Sequence, residues 1–468
     1  MSMTRREFLT GCSAAIAAMT GGRITELVFA DSRHPYHAYQ TSGTQPAASG
    51  EIFVMVFLRG ACDGLSLVSP YDDPIYQQDR GNIALPDPSR TTTNAAIKID
   101  PQNSTFTSSV GLHPSAAPLK ELYDAKNLAF VHACGLDDET RSHFDAMDYI
   151  ERGTPGNKST ASGWLARHAQ CVQLGGTVST LAAASAAPTS LLTDNDAVAM
   201  TNVNSYGLSA AYTYNNSTNP AMLTSLKKFY TGTGTFQAAG QRVIETIDTI
   251  QNLKNANGGK NLTYTPEAGV TYPSNSFGSS LQLIAQMIKL DLGLQIATVD
   301  FGGWDTHENQ GVNGGYYASQ VDTLARGLNA FYNDLPNHTG KLTVAVMSEF
   351  GRRLGANASS GTDHGHGNVM TILGGNVNGG KVYGTWPGLA DLDQQEDLKI
   401  TTDFRSILGE IVVNRLGNSK LGAVFPGLTA DIYKPLSVVQ GSPTGPLDFN
   451  PDVSMQQGKI FLPLMRGS

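Results

Sequence analysis

Five short apolar runs, each bordered by glycine and ionisable residues, limit what this chain can become. The first, Ile52-Phe53-Val54-Met55-Val56-Phe57-Leu58, is apolar at every position. A strand with one wet face alternates, so an unbroken run of this kind predicts a strand covered on both faces. Residues 128–131, 294–299, 342–347 and 369–373 have the same character. Helical spacing falls between them, over 117–125, 144–151, 280–290 and 320–333, with a further helix over 403–416. Strands alternating with helices predict an α/β fold: a doubly wound, mostly parallel sheet with helices on both faces. Residues 175–275 are rich in Ala, Ser, Thr, Asn and Gly, with one amphipathic stretch over 241–255, and read as a polar insertion or cap on the main domain of 51–440. Residues 441–468 read as a C-terminal extension.

In an open parallel sheet, ligands bind beyond the carboxyl ends of the strands. The polar clusters at the strand ends are therefore the candidates for chemistry. After the first run comes Arg59-Gly60-Ala61-Cys62-Asp63-Gly64, where Asp63 is either a metal ligand or a turn residue. After the third comes Trp304-Asp305-Thr306-His307. In extended backbone Asp305 and His307 point the same way, and carboxylate with imidazole is a usual donor pair for zinc. The fourth is followed by Glu349-Phe350-Gly351-Arg352-Arg353, a carboxylate ligand with an anion clamp or a simple salt bridge. Asp363-His364-Gly365-His366-Gly367 leads into the fifth, its small neighbours allowing both imidazoles to converge on an ion. After the second run, Thr140-Arg141-Ser142-His143 precedes a helix. Ser142, or Thr140, is then either a helix cap or a nucleophile beside an anion held by the free N–H groups of that helix.

The N-terminus decides where such a site works. Arg5-Arg6-Glu7-Phe8-Leu9, a mildly apolar stretch and Val28-Phe29-Ala30 read as a twin-arginine signal over 1–30, followed by a flexible tether over 31–50. That predicts a periplasmic or secreted protein, with the twin-arginine translocase as partner during export. No later run approaches the ~20 residues that span a bilayer, so no transmembrane anchor is expected in the mature chain. With a formal charge of −8 and no Lys/Arg block, nucleic acid is not an expected partner. Cleavage after Ala30 leaves Cys62, Cys134 and Cys171, an odd set that forms one bridge or none.

Taken in order, Leu58-Arg59-Gly60-x-x-Asp63-Gly64-Leu65, Arg141-Ser142-His143-Phe144, Gly303-Trp304-Asp305-Thr306-His307, Ser348-Glu349-Phe350-Gly351-Arg352 and Asp363-His364-Gly365-x-Gly367 resemble an exported domain-of-unknown-function family, number 1501. That family is related to the alkaline phosphatase and sulfatase superfamily. The resemblance runs from about Phe53 to Leu416 and implies an alkaline phosphatase-like sheet. It implies Asp63, Asp305, His307, Glu349, Asp363, His364 and His366 around one or two divalent ions (Zn, Mn, Ca or Mg), with Ser142 as nucleophile and Arg59 and Arg352 stabilising transferred charge. The implied activity is hydrolysis of a phosphate or sulfate ester on a small molecule or glycan. Phe350 departs from that pattern, standing where a metal-binding His is usual. A non-catalytic cell-envelope or polysaccharide-related binding protein on the same scaffold is the alternative. A glycosidase using Asp305 and Glu349 is a third, less consistent with clustered histidines.

Overall fold

The computed structural model describes residues 50–172, 174–207, 220–232, 235–312 and 314–452. The expected signal, the tether up to residue 49 and residues 453–468 lie outside the described residues. At the centre is a nine-stranded sheet. Its strands are β1 (Ile52–Arg59), β2 (Leu128–Gly135), β3 (Thr180–Ala182), β4 (Ala197–Ala199), β5 (Ile296–Gly302), β6 (Leu342–Ser348), β7 (Asn368–Leu373), β8 (Val382–Tyr383) and β9 (Thr402–Asp403). The order across the sheet is β8-β2-β7-β6-β1-β5-β3-β4, with β9 also paired to β2.

β1 lies in the interior, parallel to β5 on one side (Phe53 opposite Ile296) and to β6 on the other (Ile52 opposite Leu342). Its alternating side chains fill two separate cores, as strand geometry requires. Val54, Val56 and Leu58 join Leu119 of α1 (Ala117–Asp124), Ile247 of α4 (Thr235–Ala256), Leu281 of α5 (Ser276–Lys289) and Leu328 of α6 (Tyr316–Asn333). Phe53, Met55 and Phe57 join Ile150 of α2 (His143–Arg152), Leu165 of α3 (Trp164–Cys171) and Ile407 of α7 (Phe404–Asn414). Each such side chain, fully buried, contributes about 1.5–3 kcal/mol. The unbroken apolar run is thus a strand between two helical layers, and the mixed α/β class with a mostly parallel sheet agrees with the sequence reading.

One strand runs against the rest. β7 is antiparallel to both β2 and β6. The chain leaves the carboxyl end of β6, makes the loops of 349–367 and returns directly, with no crossover helix to carry it to the opposite edge. Residues 349–367 therefore gather at the same end of the sheet as the loops after β1, β2 and β5.

The segment expected to be a cap begins inside the sheet. β3 and β4 extend it beyond β5, and only then does the chain leave for α4. Thr-Leu-Ala and Ala-Val-Ala are too short and too poor in bulky β-branched residues to stand out in a segment full of Ala and Ser. Cys62, Cys134 and Cys171 are buried, and none of them is in a disulfide among the described residues. Among the described residues no helix is long and apolar enough to cross a membrane.

Candidate metal centre

Three imidazoles and one carboxylate meet where the loops after β2, β5 and β6 converge. His143 is the first residue of α2, Asp305 and His307 follow β5, and His364 precedes β7. His143, Asp305 and His364 each offer a ligand atom, all within 4.8 Å of one another. His307 Nε2 lies 2.9 Å from Asp305 Oδ1 and 2.9 Å from His364 Nε2.

The hydrogen bonds on the far side of each ring assign its tautomer. His143 Nδ1 is 2.7 Å from Glu349 Oε1, His307 Nδ1 is 3.1 Å from Asp363 Oδ1, and His364 Nδ1 is 2.9 Å from the Arg141 carbonyl. All three partners accept only, so each Nδ1 carries a proton and each ring turns its Nε2 inward. Those nitrogens face the Asp305 carboxylate: Oδ1 is 3.2 Å from His364 Nε2, and Oδ2 is 3.4 Å from His143 Nε2. His143 Nε2 is buried and has no hydrogen-bond partner. Imidazole nitrogens converging on a carboxylate are a donor set that can hold a cation. A tetrahedral ion with bonds of 2.0–2.1 Å needs ligand atoms about 3.3 Å apart, and Asp305 has His364 Nε2 at 3.2 Å and His143 Nε2 at 3.4 Å. These are the three residues whose ligand atoms all lie within 4.8 Å of one another. The residues fit a divalent ion.

Electrostatics point the same way. Burial pushes the Asp305 carboxyl up, but the Arg352 guanidinium and the His307 and His364 rings outweigh it and hold the group below its ordinary value. Glu349 is wholly buried, yet His143 and backbone N–H groups, including those of Gly60 and Ala61, keep it ionised below its usual range. The hydrogen bond to Glu349 raises His143, so a proton and a metal compete for the same Nε2. Burial lowers His364. Phe350 is the floor: its ring centroid is 5.0 Å from those of both His143 and His364. Asp305 and His307 are about half exposed, so the cluster opens to solvent.

Several residues singled out in the sequence stand elsewhere. Glu349 sits behind His143, with Oε1 taken by Gly60 N–H (2.8 Å) and His143 and Oε2 by the Ser348 hydroxyl (3.0 Å). It holds the His143 ring from behind and does not face the cluster. Asp363 likewise anchors His307. Asp63 turns away into a fully buried ion pair with Arg80, and accepts from Gln310 Nε2 and Ser66 Oγ, each at 2.7 Å. His366 also turns away, bonding Asp393 through Nδ1. The backbone between His364 and His366 is irregular, so the two rings do not share a face. Arg59 pairs with Glu151 and Asp300 and packs over the Phe57 ring. Arg352 is buried, donating to the carbonyls of Gly60, Ala61, Trp304 and Thr362 and to Asp305 Oδ1 at 2.6 Å. It pins three loops from beneath and has no face for an anion. Ser142 caps α2, its Oγ accepting from Asp145 N–H at 3.4 Å. His143 was visible in Arg141-Ser142-His143-Phe144 but was not chosen as a ligand. The signal was its place directly after a capping Ser, which sets it in the first helical turn at a strand-end crevice.

Close backbone approach completes the site. Gly60 has φ of +114°, and a Cβ there would stand 2.7 Å from the Asp305 backbone nitrogen. Gly60→Ala is expected to lower unfolding free energy by about 1–3 kcal/mol and to displace Asp305, weakening metal binding. Denaturant unfolding and metal titration measure the two. Unchanged stability and affinity would refute the close-approach argument.

A family model described as "Protein of unknown function (DUF1501)" matches residues 51–410 of the 468, a stretch holding every residue of the cluster. No curated protein matches the chain.

Proposed function

The chain belongs to the DUF1501 family of proteins of unknown function, and we propose that it is a metal-dependent hydrolase of phosphate or sulfate esters, built on an alkaline phosphatase-like scaffold and exported folded by the twin-arginine route. One observation carries this reading: three imidazole nitrogens converge on Asp305 at the carboxyl ends of parallel strands. A divalent ion bound there supplies positive charge to ester oxygens and lowers the pKa of a nearby nucleophile. The chain supplies the rest. At the start of α2 the N–H groups of His143 and Phe144 have no intrahelical acceptor, and the helix dipole adds partial positive charge, so an ester anion is accommodated there. Ser142 keeps its own hydroxyl proton while accepting from Asp145, so capping leaves it able to act as a nucleophile. The signal peptide reading supports export, and folded export is compatible with an ion loaded beforehand.

The test is metal analysis of the purified exported protein together with hydrolysis of aryl phosphate and aryl sulfate. Bound metal with turnover that disappears in Asp305→Asn supports the reading. Turnover that survives Ser142→Ala removes the nucleophile assignment alone. A second reading, a non-catalytic cell-envelope binding protein, is favoured by the pairing of both candidate charge-stabilising arginines, Arg59 and Arg352, with carboxylates. Stoichiometric metal without turnover of either ester would select it.

A further inference from the structure

We propose that Phe144 and Tyr316 form a platform for the organic part of the substrate, and that this part is a sugar ring bearing the phosphate or sulfate ester. The proposal rests on the ester-hydrolase reading above and adds the chemical class of the group that carries the ester.

Among the described residues four large apolar side chains are exposed: Phe144, Phe229, Tyr316 and Ile432. Two of the four border the cluster. Phe144 is 83% exposed and follows His143 in the first turn of α2. Tyr316 is 56% exposed and opens α6, and its hydroxyl lies over Gly303, leaving no room for a Cβ there. Gly303 stands two residues before Asp305. The helices that carry the two rings lie on opposite faces of the sheet. α2 packs in the core that holds Phe53 and Met55, and α6 in the core that holds Val54 and Val56. Single apolar residues scattered over a surface are ordinary, whereas grouped ones mark places where a ligand sits. Aromatic rings suit that task because they offer a broad, rigid contact face at a small cost in conformational entropy.

The setting selects a sugar over a wholly apolar group. Asp305 and His307 are about half exposed, so the site is an open face, and an aryl group lying there would keep much of its apolar surface in water. A sugar ring has C–H groups to lay on an aromatic face and hydroxyls at its edge that remain in water or meet polar side chains. The flanks of the platform are polar in that way. Next to Phe144, Asp145 pairs with Lys158, and both are about half exposed. Next to Tyr316, the Gln320 amide donates to the Gly302 carbonyl at 2.9 Å and keeps its oxygen as an acceptor for a hydroxyl.

The test is calorimetric titration of the exported protein with three phosphonates, whose carbon–phosphorus bond resists hydrolysis, so that binding is read without turnover. They are methylphosphonate, the phosphonate isostere of glucose 6-phosphate, and benzylphosphonate. The sugar isostere is expected to bind roughly 10-fold more tightly than methylphosphonate, the gain from covering part of two apolar ring faces. Phe144→Ala and Tyr316→Ala are each expected to cut that preference to about 3-fold or less. Methylphosphonate affinity should stay as in the parent, because both side chains are largely exposed and the Phe144 N–H is retained. That unchanged affinity separates loss of the platform from loss of folding. Equal affinity for the sugar isostere and methylphosphonate in the parent, or a preference that survives in both variants, overturns the platform and leaves the anion site standing. Benzylphosphonate binding more tightly than the sugar isostere overturns the sugar assignment. Failure of all three to bind overturns the ester reading and this proposal with it.

Discussion

Replacing His143 with Ala is expected to abolish stoichiometric metal binding and, with it, the ester hydrolysis proposed above. The ring supplies one of the inward-facing lone pairs, and nothing beside it substitutes: Phe350 is apolar and Glu349 is turned to the backbone. Loss of affinity should exceed the ~10–100-fold that removing an outer hydrogen-bond partner costs. Glu349→Gln, which weakens that outer partner and leaves the ring, is expected to fall within that 10–100-fold range. His143→Ala also strands a wholly buried carboxylate without its ring donor, a loss of about 1–3 kcal/mol in unfolding free energy. His143→Gln keeps an N–H for Glu349, so it should recover part of the stability and none of the metal. Calorimetric metal titration beside denaturant unfolding separates these effects. Wild-type affinity in His143→Ala would end the case for this centre.

Arg80→Ala is expected to cost about 3–5 kcal/mol of stability, because it leaves Asp63 charged and unpaired in the core. Asp63 and Arg80 are both without solvent exposure, and the guanidinium bonds both carboxylate oxygens. Burial raises the Asp63 carboxyl, but the Arg80 charge and the bonds from Arg80, Gln310 and Ser66 reverse this and hold it below its ordinary value. A carboxyl lowered on folding stabilises the protein above its unfolded value, about 3.9, and that stability is lost as pH falls through the lower folded value. Asp63→Asn should thus be destabilised at neutral pH and lose less than the parent on acidification. In the same variant, metal affinity per folded molecule should not change. A loss of metal from folded Asp63→Asn would restore Asp63 as a ligand, the role its position after β1 first suggested.

Much of the fold was legible because strands and helices are written in short-range pattern. Whether residues 52–58 are buried on one face or two depends on neighbours two positions away, and the run shows them all. β3 and β4 escaped because three residues each carry too little pattern, and because the strand that anchors β3 in the sheet, β5, lies more than a hundred residues further on. The reversed direction of β7 is likewise a matter of where a loop leads, which composition does not encode.

At the site, the sequence by itself determined which residue types gather at the strand ends: Asp305, His307, Asp363, His364 and Glu349 sit in loops bordering apolar strands, and the Ser142-His143 pair starts the helix after β2. Only the tertiary structure decided their roles. Glu349 lies 206 residues from His143 and was read as a ligand, yet it became the group that fixes a ligand's tautomer. Asp63 had the right place after β1, but Arg80 took both of its oxygens. His364 and His366 looked equivalent two residues apart, and irregular backbone sent them to different partners. The physical reason is the same in each case. A carboxylate or imidazole is assigned by whichever donor or acceptor meets it at 2.5–3.2 Å, and those meetings depend on how distant loops pack together.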